Sequence, residues 1–216
     1  MKILVVDVGG SSIKVLASGK RAPVKIPSGP DMTAARMVRL VRQATSDWKF
    51  GAVSIGYPGP VKNGKPTEEP KNLGRGWTRF DFRKAFGRPV RIINDAAMQA
   101  LGSYRGGRML FLGLGTGLGS ALIVDGVIVP LELAHLPFKK GRTYEQHVGK
   151  AALKRCGKRK WRRRVADVVT HLRAALQVDD VVLGGGNAKH LARLPPGTRA
   201  GHNRNAFTGG YRLWKS

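Results

Sequence analysis

Two short glycine-rich segments carry the residue types that bind phosphate groups. The first covers residues 7–14 and reads Asp-Val-Gly-Gly-Ser-Ser-Ile-Lys, and the second covers residues 112–120 with Gly-Thr-Gly at its centre. A phosphate is bound by backbone N–H groups that no Cβ shields, with help from a hydroxyl or a cation. The candidate donor-phosphate residues are therefore Gly9, Gly10, Ser11, Ser12, Lys14, Gly115, Thr116 and Gly117. In the first segment the alternative is an ordinary hairpin turn, in which the glycines serve the backbone alone.

Two aspartates stand where predicted strands end. Asp7 lies near the end of the apolar run of residues 2–8 and is placed to hold a magnesium ion (Mg2+), directly or through water. Asp95 follows Asn94 and the run of residues 90–93, at the point where a helix is predicted to begin. A carboxylate there can accept the proton of an attacking hydroxyl, as phosphoryl transfer to an alcohol requires. Taken alone, Asp95 is also a common kind of N-cap residue, so this alternative stays open.

The spacing of apolar residues predicts an α/β protein. Strands are predicted over residues 2–8, 12–17, 52–56, 90–93, 109–114, 118–124 and 181–183. Helices are predicted over residues 31–46 with Asp31 as N-cap, 80–86, 95–104 and around 161–176, with a last one from about Asn187. Two hairpins with glycine turns form a weak internal repeat, so we expect two similar lobes with ligands at strand ends. The predicted division is 1–105 for the N-terminal lobe, 106–195 for a reduced second lobe and 196–216 for a C-terminal tail.

The charge of the chain is strongly unbalanced. Thirty-nine lysines and arginines oppose 13 aspartates and glutamates, which gives a net charge of +26 over 216 residues. Residues 139–164 hold twelve of these cations and a single acid, Glu145. Such a block fits a nucleic acid, an anionic membrane or a polyanionic substrate, although a solvated helix face is the commonest outcome. No apolar run reaches the roughly 20 residues of a membrane span, so we expect a soluble, cytoplasmic protein with no membrane partner.

The order of the motifs carries a family resemblance. The chain resembles the ROK sugar kinases in the succession of residues 7–11, Gly-Tyr-Pro-Gly-Pro at 56–60, Asn72-Leu73, Trp77, Asn94-Asp95-Ala96, the glycine loop from Gly113, residues 132–135 and Gly184-Gly185-Gly186. The resemblance covers about residues 1–190 and is closest to the polyphosphate glucokinase branch. It implies the actin-like (ribonuclease H-like) two-lobed fold and a phosphotransferase that acts on the 6-hydroxyl of glucose. Mannose or glucosamine stays open as the acceptor.

The resemblance also implies roles for individual residues. Asp95 would be the catalytic base, and the sugar hydroxyls would be bound by Asn94, Glu132, His135 and Glu145. The two glycine loops and Gly185 would bind the donor phosphates, with Mg2+ at Asp7. The cysteine-rich zinc motif of many family members is missing, since Cys156 is the single cysteine of the chain, so we expect no structural zinc. Ala134 also stands where the family usually has glycine.

The donor is predicted to be inorganic polyphosphate, in preference to ATP. A basic groove holds a flexible polyanion through counterion release, much as it holds a nucleic acid backbone. One alternative is an ATP-dependent hexokinase or glucokinase of the same family. Another is a non-catalytic nucleic-acid-binding relative, although the sequence shows no zinc-finger or RNA-recognition motif and we expect no DNA-binding extension ahead of Met1. Non-specific nucleic-acid binding through residues 139–164 and a homodimer stay open.

Overall fold

The computed structural model describes residues 1–202 and 204–215, which form two compact units. The first unit comprises residues 1–98 together with the C-terminal residues from 206 onward, and the second comprises residues 99–205. This division differs from the predicted lobes in two respects. The boundary lies inside a helix rather than after residue 105, and the chain end belongs to the first unit instead of forming a separate tail.

The first unit is built around a five-stranded sheet. Its strands are β1 (Ile3–Val8), β2 (Ser12–Ala17), β3 (Val24–Pro27), β4 (Ala52–Tyr57) and β7 (Val90–Asn94), and a separate small hairpin consists of β5 (Val61–Lys62) and β6 (Lys65–Pro66). The strand order is β3-β2-β1-β4-β7. β1, β2 and β3 pair antiparallel, whereas β1, β4 and β7 pair parallel. Every residue of β4 is buried, as expected for a central strand covered on both faces.

Helices pack on both faces of this sheet. α1 (Ala34–Ala44) and α2 (Phe82–Phe86) share one core with β1, β2 and β4, while the last helix, α6 (Asn205–Arg212), packs against Ile3 and Val5 on the other face. α3 (Asp95–Ser103) begins directly after β7. The predicted N-cap Asp31 is wrong. The cap is Thr33, because its backbone is still extended and its Oγ1 accepts the N–H of Arg36 at 3.2 Å.

The second unit repeats the topology of the first. Its sheet consists of β8 (Arg108–Leu114), β9 (Leu118–Val124), β10 (Val127–Pro130), β11 (Asp180–Gly184) and β12 (Thr198–Ala200), in the order β10-β9-β8-β11-β12. β8, β9 and β10 pair antiparallel, whereas β8, β11 and β12 pair parallel, so each strand has a counterpart in the first sheet. The predicted repeat of glycine-turn hairpins and the two-lobed α/β fold class are therefore confirmed.

Two consecutive helices pack on the second sheet. α4 (Tyr144–Val148) is followed directly by α5 (Lys150–Leu176), which breaks at Gly157, where φ is 72° and ψ is 163°. The sequence missed this break, because a positive φ suits glycine but leaves no trace in the apolar spacing. The predicted apolar stripe beyond the break is buried and consists of Trp161, Val165, Val168, Val169 and Leu172. Within residues 1–202 and 204–215, no helix has the length and apolar character that crossing a membrane requires.

The sequence also missed three of the four strands at the edges of the two five-stranded sheets; the fourth, β7, was predicted over residues 90–93. β3, β10 and β12 are only three or four residues long and pair with a neighbour on one side. Such strands bury few residues and lack the alternating pattern that predicts a strand, and β10 leaves Val127 65% exposed. The predicted last helix from Asn187 is wrong, because only a 3₁₀ turn over Ala188–His190 forms there.

The docking of α6 depends on a glycine. Ser54 Oγ donates a hydrogen bond to the carbonyl of Gly210 at 2.7 Å, and the indole N–H of Trp214 donates to Ser54 Oγ at 2.8 Å. A Cβ at position 210 would lie 2.5 Å from Cγ1 of Val5. The short, branched side chain of Val5 has no room to move aside, so the helix approaches the sheet this closely only with glycine at that position.

We expect Gly210→Val to destabilise the protein by about 1–3 kcal/mol, because the added methyl groups overpack the contact with Val5. Urea unfolding of the variant and the parent measures the difference. The matched control is Gly29→Val, since a Cβ at position 29 meets nothing within 4 Å. Equal stabilities of the two variants would show that α6 does not depend on this close approach.

Candidate active site

The first glycine segment forms the turn between β1 and β2. The N–H of Gly9 donates to the carbonyl of Ser12 at 3.1 Å, and a Cβ at Gly9 would lie 2.8 Å from that oxygen. The turn itself therefore requires glycine at position 9, which agrees with the alternative interpretation of residues 7–14 as an ordinary hairpin turn. Gly10 and Ser11 are exposed at the tip, with only Asn72 close to the Cβ-free side of Gly10. The binding of donor phosphates by this turn stays a prediction.

Asp7 and Lys14 face each other across the first hairpin. They are register partners in β1 and β2, and Nζ of Lys14 lies 3.6 Å from the carboxylate of Asp7. Burial raises the pKa of Asp7 above its ordinary value, and the nearby charge and hydrogen bond of Lys14 only partly offset this rise. Lys14 therefore compensates only part of the free-energy cost of burying the negative charge of Asp7.

Asn94 connects the end of β7 to the start of α3. Its Oδ1 accepts the N–H groups of Ala96 at 2.9 Å and Ala97 at 3.2 Å, and its Nδ2 donates to the carbonyl of Gly59 at 3.1 Å. Asn94 is therefore the N-cap of α3, which was the alternative role considered for Asp95. Its predicted contact with a sugar hydroxyl stays a prediction, and its amide also fixes the loop of residues 57–60.

Gly56 packs against the start of α3. It lies in β4 between Asp7 of β1 and Ile93 of β7 in the strand register. A Cβ at Gly56 would overlap the terminal methyl group of Met98 and would lie 3.5 Å from Cα of Asp95. The methyl group ends a flexible side chain and 3.5 Å is an ordinary van der Waals distance, so Gly56 packs against the start of α3 without fixing where the helix begins.

Asp95 has an unusual protonation equilibrium. Burial raises the pKa of its carboxyl to about 7, and the negative charge of Asp7 adds to the rise, while hydrogen bonds from backbone N–H groups, including that of Ala96 at 2.8 Å, oppose it. A general base works best when its pKa lies near the working pH. A pKa near 7 suits the predicted role of Asp95 as catalytic base, and that role stays a prediction.

The carboxylate of Asp7 fits one ligand of a magnesium ion. Mg2+ is usually held by one or two carboxylates together with substrate phosphates and waters, not by a protein cage. The described residues contain no group of three or more His, Cys, Asp and Glu that could hold a metal by themselves. Asp7, with its pKa raised by burial beside Asp95, offers a carboxylate for which a cation would relieve unfavourable electrostatics.

In the second unit, Glu145 lies against the second glycine loop. The N–H of Leu118 donates to Oε2 of Glu145 at 3.3 Å, and a Cβ at Gly117 would overlap that carboxylate. The start of α5 contacts the same loop, since the N–H of Lys150 lies 3.1 Å from the carbonyls of Gly115 and Thr116. Gly117 is thus required by the packing of Glu145, whereas a Cβ at Gly115 would meet open space. The donor-phosphate role of this loop stays a prediction.

Gly185 has a conformational reason to be glycine. Its φ is +82°, and a Cβ there would lie 2.5 Å from the carbonyl oxygen of Leu114. The turn that it allows brings Asn187 to the second loop, where Asn187 donates through its backbone N–H to Leu114 at 2.8 Å and through Nδ2 to Gly115 at 2.7 Å. Sequence reasoning missed Asn187, although an asparagine directly after three glycines is a recognisable turn signal.

Glu132 and His135 lie on an irregular segment after β10. Both side chains are exposed, while the intervening Leu133 and Ala134 are buried. The segment is fixed by Ser120, whose Oγ donates to the carbonyl of Leu131 at 3.1 Å and accepts the N–H of Leu133 at 3.3 Å. Backbone bonding joins this segment to α4, because the N–H of Glu145 donates to Ala134 at 3.0 Å. Three of the predicted sugar ligands thus belong to one bonded region of the second unit.

Sequence reasoning also missed Glu69 in the first unit. Its carboxylate accepts the N–H of Trp77 at 3.1 Å and the hydroxyl of Thr78 at 2.9 Å. Burial would raise the pKa of Glu69, but these hydrogen bonds outweigh it and hold the pKa below its ordinary value. Glu69 thereby fixes the segment that contains Trp77, a fully buried residue of the motif series. A single glutamate in a loop gives no sequence signal for such a role.

The fold is that of known sugar kinases. A solved structure of an inorganic polyphosphate/ATP-glucomannokinase from Arthrobacter sp. strain KM superimposes with a TM-score of 0.82 and 23% identity, over 98% of this chain and 97% of that one. A ROK family glucokinase from Streptomyces griseus, solved with glucose and AMPPNP, gives a TM-score of 0.79 and 18% identity, over 99% of each chain. Both comparisons establish the fold, which is the predicted actin-like one.

The sequence itself assigns the family. The model of the ROK family matches residues 3–130, which is more than half of the chain, so the protein belongs to the ROK family. A polyphosphate glucokinase from Mycobacterium tuberculosis is 26% identical over 213 residues, which cover 88% of this chain and 80% of that protein. The predicted resemblance is confirmed, including its direction towards polyphosphate glucokinases.

In the protein without added divalent cation, we expect the carboxyl of Asp95 to titrate near pH 7, so that its ionised fraction grows as the pH rises through that value. Asp7→Asn should lower the midpoint, because it removes a neighbouring negative charge that disfavours ionisation. A carboxyl-detected NMR titration measures both. The control is Asp47→Asn, since Asp47 is not among the causes of the shift. A midpoint that Asp7→Asn leaves unchanged would contradict the electrostatic account.

Proposed function

We propose that the protein is a sugar kinase that transfers a phosphoryl group to the 6-hydroxyl of glucose, with Asp95 as the general base. The proposal depends on the carboxyl of Asp95, the first residue of α3. Burial and the nearby negative charge of Asp7 raise its pKa to about 7. The family membership and the glucokinase relatives support the same reaction.

The proposed reaction uses a small number of groups. The ionised carboxylate of Asp95 takes the proton from the sugar hydroxyl, whose oxygen then forms a bond to the terminal phosphorus of the donor. The bond from that phosphorus to the leaving phosphate breaks, and the leaving phosphate keeps the electron pair. Asn94, Glu132, His135 and Glu145 are the proposed ligands of the sugar hydroxyls. Asp7 would hold Mg2+, which neutralises charge on the donor phosphates.

Polyphosphate is the proposed donor. Among the twelve cations of residues 139–164, the exposed ones on α5 include Lys154, Lys158, Arg159, Lys160 and Arg163. Others have internal partners: Arg155 donates to the carbonyl of Gln146 at 2.9 Å, and Arg162 donates to that of His190 at 2.7 Å. A row of exposed cations binds a long polyanion by summed electrostatics. The relatives named for polyphosphate support this donor, whereas the family member solved with AMPPNP keeps ATP as the alternative.

Non-specific nucleic-acid binding is the second candidate function. It rests on the same exposed cations of α5, because a nucleic acid backbone and a polyphosphate chain present similar charge. The pKa of Asp95 favours a catalytic role over a purely binding one. The cytoplasmic location and the homodimer stay predictions.

Asp95→Asn tests the base. The amide keeps the shape of the side chain but accepts no proton, so we expect turnover to fall by roughly 10²- to 10⁴-fold while glucose affinity changes much less. Steady-state kinetics and direct glucose binding measure the two effects. The control is Asp125→Asn, an exposed position at φ 48°, a conformation that asparagine tolerates. Turnover near that of the parent would exclude Asp95 as the base.

Charge reversal on α5 tests the donor. The variant Lys154→Glu, Lys158→Glu, Arg159→Glu, Arg163→Glu should raise the KM for long polyphosphate steeply and flatten its salt dependence, with a much smaller effect on ATP. The control reverses four exposed cations of the first unit, Lys62, Lys65, Lys84 and Arg88, and so makes the same change in net charge. Parallel assays with both donors and with RNA separate the candidates. Loss of RNA binding with both donors unaffected would contradict the polyphosphate proposal, and equal small effects on everything would indicate a solvated helix face.

A further inference from the structure

An aromatic cluster lies beside the candidate sugar-binding region of the second unit. The ring of Phe138 stacks on that of Tyr144, with centroids 4.7 Å apart and an interplanar angle of 20°. His147 meets Phe138 edge-on at 5.3 Å, and His171 lies 5.3 Å away on another side. Phe138 therefore joins residues of α4 and α5 to the loop of residues 136–143, which we call the basic loop.

The basic loop is positively charged, so contacts such as those of Phe138 with α4 and α5 are needed to hold it in place. Its sequence, Leu-Pro-Phe-Lys-Lys-Gly-Arg-Thr, contains three cations and no acid. The tip turns through Lys140 and Gly141, both at positive φ, and projects into solvent. Two polar contacts of Lys139 support the ring cluster: its carbonyl accepts the Nε2–H of His147 at 2.9 Å, and its ammonium lies 3.6 Å from the carboxylate of Asp167.

The base of the basic loop joins the segments that carry the proposed sugar ligands. Glu132 and His135 lie directly before it, and Glu145 lies directly after it. Two backbone bonds close the base: the N–H of Tyr144 donates to Leu136 at 3.2 Å, and that of Glu145 donates to Ala134 at 3.0 Å. A shift of the loop base would therefore move both segments. It would also disturb the contact of Glu145 with the N–H of Leu118.

We propose that Phe138 is a positioning residue: its ring, stacked between α4 and α5, fixes the basic loop and thereby sets the arrangement of Glu132, His135 and Glu145 for the acceptor sugar. The proposal rests on the proposed function, because it assigns the region a sugar as ligand. Phe138 is half-buried and belongs to the loop, so its removal takes away the ring packing while the polar contacts of Lys139 and the buried stripe of α5 stay intact.

Phe138→Ala separates this role from a general packing role. We expect faster amide hydrogen exchange confined to residues 134–147, together with a rise of about tenfold in the KM for glucose and a change of less than about twofold in the KM for the donor. Phe138→Tyr keeps the ring and should restore both measurements. Phe80→Ala is the matched control, since it removes a half-buried ring that packs edge-on against Phe82 in the first unit.

The outcomes distinguish this proposal from the proposed function. If the parent protein phosphorylates no sugar, the proposed function fails and the positioning role fails with it. If the parent is active and Phe138→Ala leaves the KM for glucose unchanged, only the positioning role is overturned, whether or not exchange increases. Should Phe138→Ala fail to fold, Phe138→Leu keeps the apolar volume without the ring and is judged by the same two measurements. Equal increases in the KM for glucose and for the donor would also overturn the proposal.

Discussion

Burying the carboxylates of Asp7 and Asp95 within range of each other's charge costs free energy, because each negative charge loses solvation and disfavours the other. The first unit offsets only part of this cost. Lys14 lies beside Asp7, and the N–H of Ala96 bonds to Asp95. The part of the cost that is not offset raises the pKa values of both carboxyls. Asp95 can therefore exchange a proton near neutral pH, and Asp7 is a carboxylate that favours a nearby cation. Much of the surrounding fold serves to maintain this arrangement.

The glycines show how that maintenance works. Gly56 packs against the start of α3, and Gly9 closes the turn that follows Asp7. In the second unit, Gly117 makes space for the carboxylate of Glu145, and Gly185 takes up a positive φ next to Leu114. At each of these four positions, a Cβ would come close to a neighbouring protein atom. Packing at Gly9, Gly117 and Gly185 therefore holds part of each turn in shape before any ligand is bound, which would reduce the cost of ordering it around a ligand, whereas Gly115 meets open space.

The sequence predicted the two hairpins, the central strands and the position of Asp95, because long apolar runs with glycine turns are strong local signals. It did not predict the short edge strands β3, β10 and β12, which pair on one side, or the break at Gly157, which depends on backbone conformation. It assigned the helix cap to Asp31 although Thr33 provides it, since both are good caps and only the start of the helix decides between them. The role of Glu69 gave no sequence signal, and the glycine run before Asn187 indicated a turn but not its hydrogen bond to Gly115, which depends on folding.

The break in α5 also bears on the cations that the helix carries. Like charges four residues apart destabilise a helix, and such pairs recur here, as in Lys154 with Lys158 and Arg155 with Arg159. Gly157 falls between the members of both pairs, and its non-helical backbone removes their regular spacing, whereas Lys158 with Arg162 and Arg159 with Arg163 keep it beyond the break. Beyond the break the helix is held by its buried stripe, with Trp161 donating to the carbonyl of Val148 at 2.8 Å. Apolar packing thus supports a surface that its own charge disfavours.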